Sequence, residues 1–61
     1  MSKTFYAVEA ITRDYQTMWE GTYSECISYL QEYGYTHTEA RIIKYKDSKK
    51  PQKLAIIENW E

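Results

Sequence analysis

One short helix is bracketed in this chain, and its length limits how the rest can be covered. Thr22-Tyr23-Ser24-Glu25 has the form of a capping box. The Thr22 hydroxyl can accept from the backbone N–H of Glu25, whose carboxylate can reach back to the Thr22 N–H. Ser24 is the competing cap. Gly34 supplies a left-handed stop, so a helix is expected from about Tyr23 to Glu32 or Tyr33. Tyr23, Cys26, Ile27, Leu30 and Tyr33 fall on one stripe, and Ser24, Glu25, Ser28, Gln31 and Glu32 fall opposite. A helix of about ten residues is roughly 15 Å long and can lie on only one face of a sheet.

The remaining segments read as strands. Residues 4–12 are rich in β-branched and aromatic types. Phe5, Ala7 and Ile11 share one parity, while Tyr6, Val8 and Ala10 share the other, which suits a central strand. Arg13-Asp14 marks a turn, and Tyr15 to Gly21 follows as the second arm of a hairpin. Strict alternation puts Tyr15, Thr17 and Trp19 on one face and Gln16, Met18 and Glu20 on the other. Residues 35–38 form a polar connection. Ala40 to Lys46 is a third strand, with Arg41, Ile43 and Tyr45 against Ala40, Ile42 and Lys44. After the loop Asp47–Pro51, a fourth strand runs from Lys53 to Trp60, with Leu54, Ile56 and Trp60 on one parity and Ala55 and Ile57 on the other. The expected fold is α+β: a four-stranded antiparallel sheet in ββαββ order with one helix packed on one face, as a single domain over residues 1–61.

Ten of the 61 residues are aromatic, seven of them Tyr, two Trp and one Phe. All four strands carry apolar or aromatic residues on both parities, yet one helix covers one face. A large bare apolar patch marks an interaction surface. A domain this small buries only about 60% of the surface its unfolded chain exposes. With a single cysteine, Cys26, and a single histidine, His37, neither an internal disulfide nor an all-protein His/Cys zinc site is open to it. Self-association remains, so a homodimer is expected. A lone cysteine fits a reducing compartment. Met1-Ser2-Lys3 leads directly into an alternating segment, and the apolar runs are short. The reading is a cytoplasmic protein with no membrane partner and no cofactor.

Charge is sorted along the chain although the formal net charge is only −1. Glu9, Asp14, Glu20, Glu25, Glu32 and Glu39 precede Arg41, Lys44, Lys46, Lys49, Lys50 and Lys53. Such lobes suit self-complementary packing or a charged partner; solvated faces would look the same. Of the aromatics, Trp19, Tyr29, Tyr35, Tyr45 and Trp60 are candidate protein-binding anchors, because Tyr and Trp bury much area at modest entropic cost. Tyr23 and Tyr33 are expected in the helix–sheet core. Arg41, Lys44, Lys46, Lys49, Lys50 and Lys53 around Tyr45 are the alternative site, a nucleic-acid-binding hairpin. Lysines that guard an edge strand give the same pattern. The acids could imitate phosphates or simply coat a helix face. Cys26 on the apolar stripe reads as a small core residue, and His37 as an exposed loop residue, rather than as a nucleophile and its base.

The layout resembles the small counter-defence inhibitors of phages and mobile elements, with the dimeric phage inhibitors of uracil-DNA glycosylase the nearest shape. The likeness rests on the hairpin Thr4–Gly21, the helix opened by Thr22-Tyr23-Ser24-Glu25, and the strand Ala40–Lys46. It implies a non-enzymatic dimer that blocks a host defence or repair enzyme, anti-CRISPR action included. The chain differs from that family in being nearly neutral, in its basic segment Arg41–Lys53 and in a fourth strand. No residue role is carried over.

Overall fold

The computed structural model describes residues 3–60. Strand β1 (Lys3–Ala10) is followed by a single 3-10 turn (Ile11–Arg13), β2 (Gln16–Gly21), helix α1 (Tyr23–Glu32), β3 (Ala40–Asp47) and β4 (Gln52–Ile57). The strands form one antiparallel sheet in the order β2-β1-β3-β4. This is the expected α+β fold, with β1 and β3 central and β2 and β4 at the edges.

Local chemistry sets the helix ends. Both arms of the capping box form: Glu25 N–H donates to Thr22 Oγ1 at 3.1 Å, and Thr22 N–H donates to Glu25 Oε1 at 3.1 Å. At the other end Gly34 takes φ 71°. The N–H groups of Gly34 and Tyr35 donate to the carbonyls of Gln31 and Leu30 at 3.2 and 2.9 Å. That pair of bonds is a Schellman closure, which needs the left-handed residue that Gly provides without a Cβ penalty.

Beneath α1 lies the core of Val8, Cys26, Leu30, Ala40, Ile42 and Trp60, with Tyr6, Met18, Ile27, Tyr29, Tyr35 and Ile57 packed against it. Tyr23 and Tyr33, expected in this core, stand at the margins of the helix stripe and are exposed. Cys26 and Leu30 alone fill the centre of the ten-residue helix's contact.

Three strand details depart from simple alternation. First, Ile11 and Thr12 leave the strand for the 3-10 turn, and Asp14 and Tyr15 both take left-handed φ values of 57° and 60°. Tyr15 N–H closes this turn on the Ala10 carbonyl at 2.9 Å. Second, β2 pairs with β1 through a bulge: Val8 faces Trp19 and Glu9 faces Thr17, so Met18 is the extra residue. Trp19 therefore lies on the helix side of the sheet and Thr17 on the opposite side, reversing the parity expected for Trp19. Third, β4 bulges at Leu54, since Lys44 faces Ala55 while Tyr45 faces Lys53. Bulges on edge strands re-aim side chains in this way.

Trp60 is a further correction. The fourth strand stops at Ile57 rather than running to Trp60, so Trp60 is free of the strand parity that would have grouped it with Leu54 and Ile56. Its indole is buried in the core, and Nε1–H donates to the Ala40 carbonyl at 2.9 Å. A buried indole needs such a partner for its one donor.

Candidate functional site

Two exposed aromatics, Trp19 and Tyr33, gather with Tyr29 and Tyr35 where β2 meets α1. Trp19 enters from the bulged strand and stacks on Tyr29, with ring centroids 5.5 Å apart and planes 15° apart. Tyr29 also stacks against Tyr35 at 6.4 Å and meets Tyr33 at 4.7 Å in a tilted arrangement. Tyr29 and Tyr33 are four residues apart on the helix, the spacing that brings side chains together. Tyr35 follows the Schellman turn, which folds it back on the same cluster. The sequence thus identified Trp19, Tyr29 and Tyr35, and the fold brings them together. It adds Tyr33, whose stripe position had suggested the core.

Within this cluster the rings differ in access. Tyr29 and Tyr35 are half-buried and form the inner part. Trp19 is 42% exposed and Tyr33 64% exposed, so these two present apolar ring surface to solvent. Together with Ser24, Glu25, Ser28, Tyr29 and Glu32 they line an open groove of about 390 Å³. The groove's charged lining is acidic. Burial raises the pKa of Tyr29 above its ordinary value, helped by Tyr35 and Tyr33 and opposed by the nearby positive charge of Arg13. Its hydroxyl is neutral at physiological pH and can donate or accept a hydrogen bond.

A second cluster occupies the opposite face of the sheet. Glu9 on β1 is 4% exposed although no helix covers that side. Its cover comes from neighbouring strands. Arg41, directly opposite on β3, places Nε and Nη2 at 3.0 and 2.9 Å from Glu9 Oε1. Tyr45 donates its hydroxyl to Glu9 Oε2 at 3.2 Å, and Lys53 Nζ stands 3.9 Å from the same oxygen. The bulge at Leu54 sets Lys53 opposite Tyr45 and so within reach of the carboxylate. The Tyr15 ring lies against the Arg41 guanidinium, 4.3 Å from centroid to Cζ, and Phe5 stacks on Tyr45 at 5.1 Å. Burial raises the Tyr45 pKa, reinforced by the charge and hydrogen bond of Glu9 and opposed by Arg41. Ala7 and Ile43, paired at the centre of this face, are buried beneath these longer side chains.

This arrangement disperses the basic hairpin. Arg41 and Lys53 face Glu9. Lys44 and Lys46 pair with Tyr6 and Thr4 and so project from the helix side of the sheet. Lys49 and Lys50 sit exposed in the loop between β3 and β4. The six bases lie on two faces and a loop tip, not along one track. Tyr45, expected as an anchor, is half-buried with its ring and its hydroxyl both engaged. Cys26 is fully buried, and burial followed by the charge of Glu25 pushes its thiol up to about 11. A nucleophilic cysteine needs the opposite shift. His37 is exposed in the connection after α1.

What sequence reading missed is the Glu9 cluster. A lone acid in an apolar strand, with Arg41 and Tyr45 spaced four apart on another strand, was the available signal. Only the β1–β3 register brings the three together.

No helix among the described residues is long and apolar enough to cross a membrane. No protein-family model, curated protein or solved structure matches this chain.

Proposed function

We propose that the chain is a non-enzymatic protein-binding inhibitor, anchored to its target by Trp19 and Tyr33. The observation that carries this reading is the groove itself. Two aromatic rings stand exposed beside each other on a rigid support, Tyr29 holding both, with a capped helix beneath. Rigid, exposed aromatic anchors with an apolar body and a polar tip are what protein contact surfaces use. Inhibition would follow from occlusion: a bound domain of this size covers a substrate path without chemistry of its own. The resemblance of the element order to small phage counter-defence inhibitors is what suggests a host defence or repair enzyme as the target class.

The test is capture of a partner by the tagged protein from a bacterial lysate, repeated with Trp19→Ala and Tyr33→Ala. A partner held by the wild-type chain should be lost from both variants while their thermal melts stay cooperative. Capture that survives both substitutions overturns this site.

A separate observation favours self-association. Leu54 and Ile56 are each 49% exposed, two residues apart on edge strand β4. We place a homodimer contact there, on the side of the molecule away from the groove. Sedimentation of the wild-type chain should show a dimer that Leu54→Lys with Ile56→Lys converts to monomer. A monomeric wild-type chain at high concentration rules the contact out.

A further inference from the structure

We infer that the groove between β2 and α1 is a seat for a cationic side chain, an arginine or lysine carried by a surface segment of the partner. This deepens the protein-binding reading above and rests on it. The argument is one of complementarity. Trp19 and Tyr33 offer exposed aromatic ring surface, and Glu25 and Glu32 stand among the same lining residues. An aromatic face attracts a cation through its quadrupole, and Trp does so most strongly. A carboxylate at the rim supplies the long-range attraction and the hydrogen-bond acceptor.

The sequence spacing places both acids on the same wall. Glu25, Ser28 and Glu32 follow one another at three and four residues, so they line one side of α1. Glu25 Oε1 is committed to the capping box, which fixes the side chain's position without removing its charge. Ser24 and Ser28 are short and leave room between the acids. The aliphatic stem of an arginine or lysine would lie along Trp19, and its head would reach the carboxylates. An anionic group meets repulsion on this wall. That disfavours a phosphate backbone here, even though stacked aromatics by themselves would suit a nucleobase. Arg13 acts on Tyr29 but is not among the residues that line the groove.

The experiment uses the isotope-labelled full chain and four blocked glycine pentapeptides with arginine, lysine, norleucine or glutamate at the centre. At millimolar concentration the arginine and lysine peptides should shift the Trp19 indole N–H and the amides of Tyr29 to Tyr33, and leave the buried Trp60 indole unmoved. Their affinity should fall roughly tenfold in the Glu25→Gln, Glu32→Gln double variant, in line with loss of both carboxylates from a cation–π seat. Gln at position 25 preserves the capping box, so that variant keeps the helix. Raising the salt should weaken binding in the same direction. Equal shifts from the norleucine peptide, unaffected by the double variant, overturn the cation seat and leave an apolar protein-binding groove. Absence of any shift at these residues overturns the cation seat too. Partner capture with Trp19→Ala then decides the broader reading independently.

Discussion

Tyr33 and Tyr45 belong to the two aromatic clusters of this sheet, and the clusters make opposite use of the same side chain. On the far face, Tyr45 has its ring against Phe5 and its hydroxyl on Glu9. Body and tip are both spent on the fold. On the helix side, Tyr33 touches Tyr29 with one part of its ring and leaves most of itself in water. The difference comes from what lies beneath. Tyr45 sits over a buried carboxylate that must be satisfied, because an unpaired buried charge is costly. Tyr33 sits at the margin of a helix whose centre is already filled by Cys26 and Leu30. An aromatic-rich surface is thus two things here: a roof that closes a polar cluster, and a ledge that remains open.

Breaking the roof should have the largest effect. Arg41→Ala leaves Glu9 without its closest cation and should cost about 3–5 kcal/mol, the usual penalty for removing one partner of a buried ion pair. For a small domain this approaches the whole stability, so urea titration should show a chain largely unfolded in water. An unchanged midpoint would mean that the roof carries no load. Tyr45→Phe keeps the stack on Phe5 and removes only the bond to the carboxylate. It should cost about 1.5–3 kcal/mol, as for a hydrogen bond to a charged group, again read from the urea midpoint.

Alkaline pH probes both clusters together. Cys26, Tyr29 and Tyr45 all hold their protons more tightly when folded. The unfolded chain therefore releases them first, and stability must fall as pH rises. The Cys26 part of the decline begins near its ordinary value of 9.0 and extends to about 11, and the tyrosines add to it at higher pH. Melting temperatures measured across this range should drop steadily, and Tyr45→Phe should remove a share of the drop. A flat profile would contradict the burial of these groups. The smallest effect belongs to the ledge: Tyr33→Ala should change stability by no more than about 0.5 kcal/mol, which a thermal melt can check. A loss comparable to that of Tyr45→Phe would erase the distinction between the clusters.

Much of the fold was legible because local chemistry specified it. The capping box at Thr22 and Glu25 and the stop at Gly34 name the helix ends by hydrogen bonds that do not depend on the rest of the molecule. The apolar character of β1 on both parities announced a central strand. The site was partly legible: Trp19, Tyr29 and Tyr35 were identifiable as aromatics beyond what one helix could cover. What stayed hidden depends on pairing. Trp60 reads as a strand residue grouped with Leu54 and Ile56 until the strand is seen to stop at Ile57. Glu9 reads as one acid among several until the register sets Arg41 opposite it. The alternation of β2 grouped Trp19 with Thr17, which the sheet sets on opposite faces, since a bulge leaves no mark in a pattern of residue types.

That bulge has a consequence for how the site could drift. Were Met18 drawn into regular pairing opposite Val8, Trp19 would cross the sheet to stand opposite Ala7, and Glu20 would turn beneath the helix. The groove would lose its largest ring without any change of amino acid. The face on which Trp19 appears is therefore encoded by a count of residues between two pairing partners. An insertion or deletion in Gln16–Gly21 is a more abrupt route to a new specificity than a substitution within the groove.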